Sequence, residues 1–245
     1  MSVPVWLLPG MDGTGRLFEP LVPSLSGPLD VRVVAYPRDA TRYDELENAV
    51  GVPPPDAVLV GESFGGPLAL RLAAEHPVAA VVLVASFVRP PWLVPPPAAL
   101  LRAMHPPPAV AIRIAMLEWG SPPDLVAAVR AAIGSTPAHS ISDRVAEITR
   151  VDARADLRAA RCPVHWLSAA RDRMVPARAT TLARSERADL VVEAIDGPHL
   201  LAQTRPAGFP LQFWFDMDSA VVNSPLYAGR IRGDLDGIRL GREQA

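Results

Sequence analysis

Short apolar runs recur along the chain at Val3–Leu8, Val31–Ala35, Ala57–Val60, Ala80–Ala85, Val164–Leu167 and Leu190–Ile195. They lack the polar alternation of a strand with one wet face, so they suit strands covered on both faces, as in a parallel sheet with crossover helices. Between them, Tyr43, Leu46 and Val50 share one helical face, and Thr41 with Asp44 resembles a capping box. Leu68 and Leu72 do the same after the third run. The alternation predicts a single doubly wound α/β domain of about six parallel strands with right-handed crossovers, its core spanning residues 1–85 and 162–210.

From residue 86 to residue 161 the strand signal stops. Prolines cluster here at Pro90–Pro91, Pro95–Pro97, Pro106–Pro108 and Pro122–Pro123, with helical segments between them. Val110, Ile114 and Leu117 read as one helix face, Ile141, Val145 and Ile148 as another, and Ser121 before Pro122 as a helix start. This stretch predicts a helical cap inserted before the penultimate strand. After Pro206 the pattern fails: Gly208 and Pro210 interrupt any closing helix, and Gly229, Gly233, Gly237 and Gly241 recur among charges. Residues 211–245 are expected to form an atypical tail, either a disordered or loosely docked extension or a segment pairing with another subunit through Val221–Tyr227.

Composition narrows the chemistry. The chain has 245 residues, 49% of them hydrophobic, with a net charge of -2. It is large enough to bury a core, and its charge gives no reason to expect nucleic acid or an anionic membrane as partner. The sequence contains no lysine. Schiff-base and pyridoxal chemistry, a Walker-type phosphate loop, a protein kinase and a Ser-Lys hydrolase are thereby excluded, since each needs a lysine amine at the reacting centre. A single cysteine, Cys162, allows neither an intrachain disulfide nor a thiolate cluster that would hold a metal. Met1–Pro9 has no positively charged leader pattern and no apolar run is long enough to span a bilayer; a cytoplasmic protein is the expectation.

The chemistry concentrates in four places. Gly61-Glu62-Ser63-Phe64-Gly65 follows the third apolar run and precedes a helix, the context of a nucleophile elbow: Ser63 on a strained strand-to-helix turn, with Gly61 and Gly65 leaving room around it. A serine hydroxyl needs a base. Of the five histidines, His76, His105, His139 and His165 read as structural or solvent-facing, whereas His199 follows the last strand in Asp196-Gly197-Pro198-His199 and would reach the same sheet edge as Ser63. Asp172, after the penultimate strand, is the expected acid that orients His199, with Asp196 as runner-up. Leu8-Pro9-Gly10-Met11-Asp12-Gly13-Thr14-Gly15 follows the first strand. Its spacing is not G-x-G-x-x-G, which argues against a dinucleotide loop; with Gly10 at the turn, the Met11 N–H is expected to join that of Phe64 in an oxyanion hole.

On these residues the chain resembles the α/β-hydrolase superfamily over roughly residues 3–206, in the small esterase-like branch with an L-P-G-x-D-G-T-G loop. Pro9 stands where many relatives carry histidine. The order Ser63, Asp172, His199 is the one that superfamily uses. The resemblance implies a serine hydrolase that cleaves a carboxylic ester through an acyl-enzyme, on a small-molecule substrate, with no cofactor. Acyl thioesterase or acyltransferase activity is the nearest alternative, and a ligand-binding receptor with a slow triad lies outside the enzyme class. A dehalogenase or epoxide hydrolase would need an aspartate at position 63. The apolar residues Val94, Leu100, Leu101, Ile112, Ile114, Met116, Leu117 and Trp119 lead to the expectation that the cap lines an acyl pocket.

Overall fold

A computed structural model describes residues 2–25 and 29–206; the tail expectation for residues 211–245 lies outside the described residues. The strands are β1 (Val3–Leu8), β2 (Leu29–Val33), β3 (Val58–Glu62), β4 (Ala80–Val84), β5 (Val164–Ala169) and β6 (Val191–Ile195). They form one six-stranded sheet in the order β2-β1-β3-β4-β5-β6, with every neighbouring pair parallel. This is a doubly wound parallel α/β sheet, as the alternation of elements predicts.

Burial explains the strand composition. β3 and β4 are buried at every position, because helices cover both faces of the sheet centre. The margins differ from the sequence expectation: in β2 and β6 several residues are exposed, Val33 and Val191 among them. Each outer strand has a neighbour on one side only, so its apolar run is covered less than those at the centre. β2 also begins two residues before the predicted Val31.

The crossover helices are α1 (Tyr43–Val50) and α2 (Gly65–Glu75). α1 buries Tyr43, Leu46 and Val50 as its periodicity predicts, but its N-terminus is closed differently. The Glu45 carboxylate, not Thr41 with Asp44, accepts the N–H groups of Thr41 and Arg42, at 2.9 and 3.2 Å.

Between β4 and β5 the described chain is helical: α3 (Ala98–Ala103), α4 (Ala109–Ala115), α5 (Pro123–Gly134), α6 (Ala138–Ile148) and α7 (Arg154–Ala159). α7 packs against α2 in the layer beside the sheet. α4, α5 and α6 share a separate cluster of Ile112, Leu117, Val126, Val129, Ile133 and Ile141, closed by Leu17 and Leu200. α6 buries the predicted Ile141, Val145 and Ile148. α4 does not follow its predicted face: it ends at Ala115, and Val110 and Ile114 are exposed while Ile112 is buried. The Ser121 hydroxyl accepts the Glu118 N–H at 3.1 Å instead of capping α5. After β5 and β6 come α8 (Arg178–Glu186) and the short α9 (Leu201–Thr204). No helix among the described residues is long and apolar enough to cross a membrane.

The strand order reverses direction between β1 and β3, the position where open α/β sheets place their crevice. Register aligns Leu8 with Gly61 and Gly61 with Leu83, so the loops leaving these strands emerge together at one edge.

Candidate active site

Ser63 occupies the turn between β3 and α2 with φ at 49°, a left-handed conformation that a side chain adopts only when its surroundings hold it there. The surroundings do so. Its N–H donates to Val84 O at 2.8 Å, and its carbonyl accepts the Gly66 N–H at 3.1 Å and the Ser86 hydroxyl at 2.8 Å. A Cβ at Gly61 would lie 2.7 Å from Gly65 O and Gly66 Cα, and one at Gly65 2.7 Å from Pro9 O. Only glycine permits so tight a turn. Gly10 lies against it as well: a Cβ there would stand 3.9 Å from Ser63 Cβ, an ordinary contact. α2 starts two residues on, so the positive end of its dipole faces the serine.

His199 follows β6 and is 3% exposed. Its Nε2 lies 2.9 Å from Ser63 Oγ and its Nδ1 2.8 Å from Asp172 Oδ2. Asp172, in the turn after β5, accepts the N–H groups of Met174 and Val175 on Oδ1, at 2.7 and 2.9 Å. These bonds fix the carboxylate and leave Oδ2 to the imidazole. With the proton on Nδ1, His199 donates to Asp172 and accepts from the serine hydroxyl, so the arrangement can draw a proton from Ser63. The other carboxylate near this loop, Asp196, is exposed and ion-paired with Arg171. Burial holds the pKa of His165 below its ordinary value, within β5. His139 stands at the surface 3.6 Å from Asp39.

The loop after β1 brings Gly10, Met11 and Asp12 to the same cleft as Ser63 and His199. Gly10 O accepts the Gly13 N–H at 3.0 Å. Because a peptide's C=O and N–H point oppositely, this turn directs the Met11 N–H away from Gly13. Among the described residues neither Met11 N–H nor Phe64 N–H forms a hydrogen bond. Tyrosines fix both segments: Tyr36 donates to Pro9 O and Tyr43 to Phe64 O, each at 3.1 Å. Tyr43 also stacks on the Phe64 ring with centroids 4.8 Å apart.

Arg144 of α6 is a residue sequence reasoning passed over. It is fully buried, and its guanidinium donates to Met11 O at 2.9 Å, Asp12 O at 3.2 Å, Pro37 O at 3.0 Å and Ala40 O at 2.8 Å. Thr136 adds a 2.6 Å bond to Asp12 O. The insertion thus holds the loop that carries Met11. Its sequence signal was an arginine on the buried stripe of Ile141, Val145 and Ile148. Two buried carboxyls flank the site. Burial raises the Asp12 pKa, partly offset by its bonds from Thr14 and by Arg144. Burial also pushes Glu62 up to about 7.

The cleft is partly open to solvent, and its walls include Phe87, Trp92, Met116, Ile133, Ile141 and Met174. The apolar residues expected to line it mostly do not. Val94, Leu100, Ile114 and Trp119 are exposed, and Ile112 and Leu117 are spent on the core of the insertion, leaving Met116 from that set at the cleft. Among the described residues no group of three or more His, Cys, Asp or Glu side chains is arranged to hold a metal ion.

No curated protein matches the chain in sequence. Solved structures do match in fold. The enol-lactonase from Burkholderia xenovorans LB400 aligns with a TM-score of 0.74 at 16% identity, over 89% of this chain and 92% of that one. An esterase from Rhodococcus sp. ECU1013 aligns at 0.71 and 18% identity, over 89% and 91%. A bromoperoxidase from Bacillus anthracis aligns at 0.70 and 19% identity, over 88% and 91%. The model of the alpha/beta hydrolase family matches residues 5–209. With that match over most of its length, the chain belongs to the alpha/beta hydrolase family.

Proposed function

We propose that this protein is a serine hydrolase that cleaves a carboxylic ester, in the esterase-like branch marked by its Leu8–Gly15 loop. The observation that carries the reading is the unbroken hydrogen-bond chain from Ser63 Oγ through His199 to Asp172, anchored on a serine held at positive φ. Ser63 Oγ attacks the acyl carbon as its proton passes to His199 Nε2. The carbonyl oxygen takes the negative charge, stabilised by the Met11 and Phe64 N–H groups and the α2 dipole. His199 then protonates the departing alcohol, leaving Ser63 acylated. A water, deprotonated by His199, attacks the acyl carbon, and collapse of the second intermediate releases the acid and restores Ser63. Asp172 stabilises the imidazolium throughout.

The cleft walls suit an acyl chain, and α3–α6 act as its cap. The test is turnover of p-nitrophenyl esters and acyl thioesters by the wild type and by Ser63→Ala. Ester turnover should fall by at least about 10³-fold in the variant, with its thermal unfolding unchanged. Turnover that survives the substitution, or a wild type inert on every ester while active on thioesters, overturns the reading.

A further inference from the structure

Glu62 and Gln203 form a buried pair that the steps above do not use. Glu62 ends β3, immediately before Ser63; Gln203 lies in α9, one helical turn beyond His199. Both are buried, and Gln203 Nε2 donates to Glu62 Oε2 at 3.1 Å. The second oxygen of each side chain, Glu62 Oε1 and Gln203 Oε1, has no hydrogen-bond partner among the described residues. Leaving two buried acceptors unmatched is costly. A carboxylate has no donor to offer the amide oxygen, whereas a carboxylic acid and a primary amide match one another: the acid O–H meets the amide oxygen while the amide N–H meets the other acid oxygen. One proton on Glu62 Oε1 would supply the donor that both orphan atoms lack.

We propose that Glu62 works as a neutral carboxylic acid paired with Gln203, a positioning device that locks the Ser63 turn to the His199 loop and keeps negative charge away from the oxyanion site. Its kinetic consequence rests on the serine hydrolase reading; its protonation state does not. The groups facing Glu62 are His199 from the loop after β6, Asp12 from the loop after β1 and Tyr36 from the loop after β2, besides Gln203 on α9. Burial favours the proton, Asp12 adds to that, and the Gln203 bond and His199 oppose it, leaving the Glu62 pKa at about 7. As pH rises through that value the acid O–H is lost and a charge appears on the wall of the cleft, where the intermediate's negative charge must also form. A hydrolase relying on a neutral histidine base would otherwise keep its rate on the alkaline side.

The experiment compares wild type with Glu62→Gln, which can replace the acid–amide pair by an amide–amide pair that never ionises. Because each pH unit above the controlling pKa removes about tenfold of the protonated form, wild-type kcat should fall at least about tenfold between about pH 7 and about pH 9. In Glu62→Gln the same ratio should stay within about twofold. An alkaline fall of equal size in both proteins overturns the proposal. Infrared difference spectra of Ser63→Ala against Ser63→Ala/Glu62→Gln provide a readout independent of turnover. A protonated-carboxyl band near pH 6 that disappears with Glu62 supports the proposal, and its absence overturns it. If the wild type hydrolyses no ester, the infrared result still decides the state of Glu62, so the two failures are distinguishable.

Discussion

Replacing Arg144 by methionine tests whether the helical insertion supports the site or merely covers it. Methionine fills much of the arginine stem while removing all the donors. Two carbonyls, those of Met11 and Ala40, then lose their guanidinium bonds outright, whereas Pro37 O keeps the Ala40 N–H and Asp12 O the Thr136 hydroxyl. An acceptor left unmatched away from water costs about 1–3 kcal/mol, these two are part-buried, and removing the guanidinium also relieves the cost of burying its charge, so the net loss should be about 2–3 kcal/mol. Urea unfolding followed by tryptophan fluorescence measures it as a fall in midpoint at constant slope. The same change frees the Met11–Asp12 peptide on the loop proposed to carry an oxyanion donor. Removing one such donor outright costs about 10²–10³ in kcat, so loosening it should cost at least about tenfold, with KM changing less. Arg144→Lys keeps a charge but cannot spread planar donors over four carbonyls, and should fall between the two. An Arg144→Met protein within about 1 kcal/mol of wild-type stability and about twofold of its kcat would mean that the insertion merely covers the site.

Asp172→Asn should lower kcat by about 10³-fold or more, because the His199 tautomer is no longer held, while Asp196→Asn, exposed and paired with Arg171, should stay within about twofold. The reverse ranking would move the acid to Asp196. Glu62 also sets a stability profile: its pKa is raised from 4.5 to about 7, so the contribution is fully present below 4.5 and is lost as pH rises through 7. At about 1.4 kcal/mol per pH unit the loss approaches about 3 kcal/mol, and thermal unfolding should show wild type declining relative to Glu62→Gln across that window and running parallel above it. Parallel profiles throughout would contradict the buried acid. Hexanoate and octanoate esters should exceed acetate in kcat/KM by at least about tenfold, since each buried methylene is worth up to about 0.8 kcal/mol. A preference for acetate would mean that the cleft walls serve packing alone.

The sheet was legible because its strands are buried on both faces and so spell continuous apolar runs, and Ser63, Asp172 and His199 each follow such a run at the same edge. Proximity of these loops comes from topology, which the alternation of elements already dictates. Arg144, Tyr36 and Gln203 were not legible: each acts through partners distant in sequence, and a lone polar residue does not say whom it meets. Glu62 sat inside the elbow motif at its unspecified position, so the motif itself drew attention away from it. The insertion was legible as helical but not in its faces. With several short helices packing on one another and on the loops below, burial of Ile112 over Ile114 depends on neighbours that periodicity cannot supply. Thr41 and Asp44 matched a capping pattern, yet the structure closes α1 with Glu45, whose longer side chain reaches both N–H groups.

The proposed function requires Ser63 to be a nucleophile activated by His199. Reaction with a fluorophosphonate, followed by intact-mass measurement and peptide mapping, tests it without any assumption about substrate. A single adduct is expected on the peptide containing Ser63, absent in Ser63→Ala and formed at least about 10²-fold more slowly in His199→Ala. No adduct on the folded wild-type protein, or an adduct that persists on another serine in Ser63→Ala, would contradict it.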